Sequence, residues 1–273
     1  MFLFSLIAPA LAAWPQDVVL TNFASYEDNT AAYQDLVREL GVGIANKPMA
    51  PGETLGLNGF DLSVFNSVSF LHANGTEGDP SGWERSQADG EPSDVLWIPT
   101  LGVRKGLPLS LEAGMNFGWI GGSHQAALGG YGRWALIEGY RKAPDVTIQV
   151  GYTGYVGNEE LWLGVIDASA TIGYTFPFGR TVGINTSRFS PYIGVGTVRI
   201  SADPKIDEDQ EAELGIGPVN GFSGNSDNFA EGFQPFVADI GFRVATGDFQ
   251  LKLAGSIAPD VVSGISFGVG FEY

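Results

Sequence analysis

Nine charged residues stand on the small, polar side of segments whose other side is large and apolar: Asp61, Glu112, Asp167, Asp239 and Glu272, with Arg104, Arg133, Arg243 and Lys252. Side chains alternate along a strand, so this spacing turns all nine toward one interior. Two kinds of chemistry follow. The charges can pair and hydrogen-bond into a network that fills the space, because an unpaired buried charge is expensive. They can instead line a narrow, charge-selective pore. The filled interior is the leading expectation.

Other constellations are weaker. His72 and His124 are the chain's two histidines and its only candidate general bases for serine chemistry. Ser123 and His124, being neighbours, face opposite sides of a strand. Asp207 and Asp209 stand two apart, but within an acidic run from Asp203 to Glu213 that reads as a solvated loop. That run lacks the spacing of a Ca²⁺-binding loop, so no dedicated metal site is expected, only weak association of divalent cations with acidic loops. Gly215-Ile216-Gly217 is too short for a nucleotide fingerprint, and no cofactor is expected. No catalytic residues are assigned.

Composition narrows the class. The chain has 273 residues, 39 glycines, 12% aromatics, no cysteine and a net charge of −17. Such a chain suits many short strands and turns. It excludes a disulfide framework, and its charge disfavours nucleic acid. Residues 1–13, MFLFSLIAPALAA, read as a signal peptide with an A-x-A cleavage site, although no Lys or Arg precedes the apolar run. No later segment reaches the roughly 18 apolar residues that a spanning helix needs.

One helix is expected over residues 28–40, started by Asp28 or Asn29 and stopped by Gly41, with Tyr33, Leu36, Val37 and Leu40 on one face. Residues 44–55 follow as a Pro- and Gly-bearing linker. Ten alternating segments come next, at about 56–70, 94–105, 107–119, 125–138, 145–155, 161–176, 189–201, 234–244, 249–257 and 261–273. The seventh is the weakest, because Arg199 shares the parity of Ile193 and Val195. Strand number could change by two if residues 181–187 or 219–231 add a hairpin. Connections on one side are tight; the other side receives the long, acidic loops 71–93 and 202–233.

The last segment carries Ile265, Phe267, Val269, Phe271 and Tyr273 on one face, and only Ser266, Gly268, Gly270 and Glu272 between them. It resembles the C-terminal strand of Gram-negative outer-membrane β-barrels, in which the apolar face meets lipid and a terminal aromatic sits at the interface. The stretch Ala50–Phe60 is similar to the start of small barrels of unassigned function. The resemblance implies an all-β, closed, antiparallel transmembrane barrel of about ten strands (eight to twelve) in the bacterial outer membrane. It would comprise a signal peptide (1–13), a periplasmic N-terminal segment with a helix plugging the periplasmic mouth (14–55) and the barrel (56–273). Lipid, lipopolysaccharide and the barrel-assembly machinery would be its partners. The implied function is a narrow passive conduit for small solutes or a structural surface barrel; the alternative is a hydrolase at the outer rim. The omptin-like proteases also have ten strands, but Asp79 and Asp94 near His72 do not reproduce their Asp-x-His or Asp-x-Asp spacing.

Overall fold

The computed structural model describes residues 17–76, 78–87, 92–139, 143–179, 187–221 and 233–273. The expected signal peptide lies outside the described residues, as do Glu77, Asp89, Glu91, Asp227 and Glu231 of the long loops.

Alternation decides the strands. They are β1 (Phe60–Phe70), β2 (Val95–Leu107), β3 (Leu111–Trp119), β4 (Ala126–Ile137), β5 (Asp145–Val156), β6 (Leu161–Gly173), the short β7 (Phe176–Phe178), β8 (Ser187–Pro204), the two-residue β9 (Val219–Asn220), β10 (Phe236–Thr246), β11 (Phe249–Ala258) and β12 (Val262–Glu272). Ten of these make the wall, each antiparallel to its neighbours in the order β10-β11-β12-β1-β2-β3-β4-β5-β6-β8, and β8 pairs back onto β10 to close it. β7 and β9 hang from β8. Closure leaves no ladder edge in the wall to be satisfied by solvent, as a hydrocarbon surrounding requires.

The burial pattern is the reverse of a soluble sheet. Along β3, Leu111, Met115 and Phe117 are exposed while Glu112 is 2% exposed. Along β12, Ile265, Phe267, Val269 and Phe271 face outward and Ser266 inward. Neither face of the wall carries a second sheet or an outer helical layer among the described residues. Arg199 does point outward with Ile193 and Val195, but toward the end of β8, the longest strand, close to the long loops.

The barrel has a turn end and a loop end. At the turn end lie residues 108–110, Gly247-Asp248, the start of β1 and the C-terminus; the loops 71–94 and 205–235 leave the other end. The β2–β3 turn is shifted from its sequence position. β2 runs on to Leu107, and Leu109 and Ser110, read from alternation as strand, are left-handed turn residues with φ of 63° and 55°.

The N-terminal helix departs most from the sequence reading. It spans Asn29–Ile44 (α1), past Gly41, and it sits in the loop-end mouth instead of at the turn end. A 3₁₀ turn (Leu20–Ser25) and the short helices α2 (Gly82–Ser86) and α3 (Glu208–Leu214) pack around it. Gly41 does not stop the helix because its missing side chain serves packing: a Cβ there would come within 2.8 Å of Ile200, and one on Gly43 within 2.6 Å of Leu96. Leu20, Phe23, Tyr33, Leu36, Val37 and Leu40 are almost fully buried in this mouth against Leu161, Leu163, Val198 and Ile200 of the wall. Inward-facing positions at the loop end are thus apolar, whereas those nearer the turn end are charged. Burying these side chains contributes roughly 1.5–3 kcal/mol apiece, which holds the cap in place.

Candidate functional site

From Ala45 the chain runs down the lumen to Leu55, reaching the turn end where β1 begins. The segment read from sequence as a linker is an internal strap. Its prolines and glycines suit it to this path, since an extended segment without a ladder partner leaves its polar groups to side chains. The wall supplies them. Tyr192 Oη donates to Pro48 O at 2.9 Å, Arg133 Nη2 donates to Pro51 O at 2.6 Å, and Thr147 Oγ1 donates to Gly52 O. Leu55 N donates to Glu112 at 3.2 Å, and Thr54 Oγ1 donates to Glu138 at 2.8 Å.

The nine charges picked out in the sequence all belong to the interior, but they do not form one cluster. Arg104 donates to Asp61 at 2.7 Å and to Glu112 at 3.1 Å; Arg133 reaches the same Glu112 oxygen at 3.0 Å. Lys252 donates to Asp61 at 3.0 Å and to Ser63 Oγ at 2.8 Å. A second group centres on Arg243, which meets Glu272 at 2.9 Å and also pairs with Glu53 of the strap; Arg188 reaches Glu272 at 3.3 Å. Asp167 and Asp239 take part in neither group. Asp167 Oδ2 accepts from Asn46 Nδ2 at 2.9 Å. The sequence reading missed Asn46, Lys47 and Glu53, and also Gln250, which donates to Asp61. Only the presence of Lys47 and Glu53 among prolines and glycines hinted that the linker had an interior to match.

Three lumen cavities along the strap are small, about 20 to 30 Å³ each. Space of that size holds about one water apiece.

Both histidines lie at the loop end, each clasping a carboxylate of the cap. His72 Nδ1 is 2.7 Å from Glu39 Oε1 on α1, and its backbone N–H also donates to that carboxylate. His124 makes the same pair with Asp17, at 2.7 Å from ring and from backbone nitrogen. Glu39 is buried and also accepts from Trp83 Nε1 at 2.8 Å. A cavity of about 750 Å³ opens beside His72, lined among others by Tyr26, Arg38, Asp79, Trp83 and Arg85. No grouping of three or more metal-ligating side chains occurs among the described residues.

An apolar belt turned outward, charges turned inward and a wall closed by ten antiparallel strands define a transmembrane β-barrel of the bacterial outer-membrane type. No known family model and no curated protein matches the chain. Among solved structures it is similar to the transport unit of the autotransporter AIDA-I from Escherichia coli, at 10% identity and a TM-score of 0.42, covering 89% of this chain and 99% of that one. It is also similar to the translocator domain of the autotransporter NalP from Neisseria meningitidis (12%, TM-score 0.30, covering 91% and 98%) and to the Acinetobacter baumannii outer membrane protein Omp33 (11%, TM-score 0.29, covering 79% and 99%). At these scores the class rests on the wall and lumen themselves.

Proposed function

We propose that this chain is a sealed structural barrel of the outer membrane, presenting its capped loop end at the cell surface, and not a solute conduit. The observation that carries this reading is the strap: residues 45–55 fill the lumen and are hydrogen-bonded to the wall along their length. The apolar cap closes the mouth above them. In this reading residues 1–13 direct export, the C-terminal strand from Ile265 to Tyr273 is what the barrel-assembly machinery recognises, and the acidic outer loops meet divalent cations among the lipopolysaccharide phosphates. The turn end faces the periplasm, so the chain before β1 crosses the membrane inside its own barrel.

Two measurements on the full chain test this. In planar bilayers the protein produces no conductance steps; regular steps that change with Arg133→Ala would establish a pore instead. The chain has no cysteine, so single cysteines report sidedness cleanly. On intact cells an impermeant maleimide labels Asp35→Cys on the exposed side of α1 and leaves Asp248→Cys in the turn untouched. The opposite labelling would overturn the orientation.

A second reading, a rim hydrolase, has the His72–Glu39 pair beside the 750 Å³ cavity in its favour. Against it, Ser81 on the cavity wall already donates its hydroxyl to Ala73 O, and the same carboxylate clasp recurs at His124. Both histidines act as fastenings of the cap, and ester or peptide hydrolysis that disappears in His72→Ala would reverse that assignment.

A further inference from the structure

On the outer face of the wall one cross-strand row has a gap. Ile172 on β6, Ile193 on β8, Ile240 on β10, Gly255 on β11 and Ile265 on β12 are successive register partners. The four isoleucines point outward and are 46%, 59%, 66% and 51% exposed. Between Ile240 and Ile265 the row has no side chain. A Cβ on Gly255 would find only Gly264 O and the Ile240 side chain within 4 Å, both at 3.9 Å. Nearer the turn end, Pro191 makes a second low point beside its register partner Phe242.

Together these low points open a groove of about 670 Å³ on the lipid-facing side. It runs from Pro144, Tyr174 and Phe189 at the turn-end rim to Gly255 and Ile265, about midway up the wall. The rings of Phe189 and Phe242, 5.6 Å apart, stand on its turn-end side. Every described residue lining it is uncharged.

The groove is continuous with the apolar belt, whose solvent is hydrocarbon. Lipid tails are as apolar as these isoleucines, so packing, not a hydrophobic gain, decides what stays there. A lining without partner atoms forfeits its dispersion contacts, and a flexible chain laid along the groove restores them. Elsewhere on the belt a chain touches the wall with one side; here side chains from β8, β10, β11 and β12 bound it. We propose that this groove holds one acyl chain of a phospholipid of the periplasmic leaflet, bound to the barrel instead of exchanging freely with the surrounding bilayer. The choice of leaflet rests on the orientation proposed above, which turns this half of the wall toward the periplasm and away from lipopolysaccharide.

The test is native mass spectrometry of the full chain. The protein is refolded into vesicles of phosphatidylethanolamine and phosphatidylglycerol that also contain lipopolysaccharide, then extracted into a mild detergent. The wild type carries one phospholipid through extraction. Gly255→Leu fills the gap and lowers the retained fraction about ten-fold. Gly132→Leu, at an outward glycine of β4 with nothing within 4 Å of its Cβ position, leaves retention unchanged. Ile265→Ala removes one side of the groove, also lowers retention, and decides the matter if Gly255→Leu does not fold. A wild-type barrel that emerges without phospholipid overturns the proposal, as does undiminished retention in Gly255→Leu or, failing that variant, in Ile265→Ala. Retention of lipopolysaccharide in place of phospholipid overturns it too, and the maleimide labelling above, measured separately, then tells whether the orientation or the groove was misjudged.

Discussion

Arg104 on β2 and Asp61 on β1 are register partners, and their side chains meet at 2.7 Å inside the lumen with both groups almost wholly buried. The same guanidinium continues to Glu112 on β3, so one side chain joins three strands. Removing it leaves Asp61 with Lys252 and Glu112 with Arg133, each buried carboxylate short of one partner. Arg104→Ala therefore costs about 3–5 kcal/mol, the range for breaking a buried pair from one side. Urea titration of the refolded barrel measures it, and a loss below 1 kcal/mol would show that water already screens the network.

The approach of α1 to β8 yields a paired prediction. A methyl group on Gly41 meets the Ile200 side chain at 2.8 Å, so Gly41→Ala destabilises the cap by about 1–3 kcal/mol despite alanine's better helix propensity. Shrinking the neighbour with Ile200→Val restores part of that loss, and the double mutant departs from additivity. Gly132→Ala, where an added Cβ meets nothing within 4 Å, serves as the control with little change.

These contacts also mark how far the sequence could be read. The wall was legible because alternation is a local property: Leu111 and Phe117 outward, Glu112 inward, is the same statement in sequence and in space. Gly41 was misread because a glycine signals a helix stop and a close approach equally well. The strap was read as a linker because residues 44–55 have no period, and an extended segment bonded to side chains from six strands leaves none. Which mouth the helix fills depends on where Ile200 and Leu96 lie in the closed barrel, which no local pattern encodes. The partition of the nine interior charges into two paired groups and an unpaired Asp167 and Asp239 depends on register and on Lys47 and Glu53 from the strap.

The outward belt predicts a substitution that a soluble protein would tolerate. Phe267 lies midway along β12 and is 52% exposed. On a soluble sheet Phe267→Arg would be nearly neutral. In a bilayer an arginine at mid-depth costs about 2–4 kcal/mol, so folding into liposomes is impaired by that amount, whereas Asp35→Arg on the cap has little effect. Equal effects of the two substitutions would remove hydrocarbon as the solvent of this wall.

Tyr33 supplies the pH dependence. Its ring packs edge-on against Phe23 at 6.5 Å in the cap core, and among the described residues its buried hydroxyl has no hydrogen-bond partner. Burial, reinforced by Asp203 and Glu211, holds its ionisation well above the usual range for tyrosine. The folded state therefore keeps this proton at pH values where the unfolded chain has lost it. Below pH 10 both states are protonated and stability does not depend on the group. Above pH 10 the unfolded state binds fewer protons, so stability falls by up to about 1.4 kcal/mol per pH unit. Tyr33→Phe removes an unsatisfied hydroxyl as well as the titration. It raises stability at neutral pH by about 1 kcal/mol and flattens the alkaline limb, which chemical denaturation at pH 8 and pH 11 measures directly. A Tyr33→Phe variant less stable than the wild type at pH 8 would mean that the hydroxyl has a partner in the folded cap.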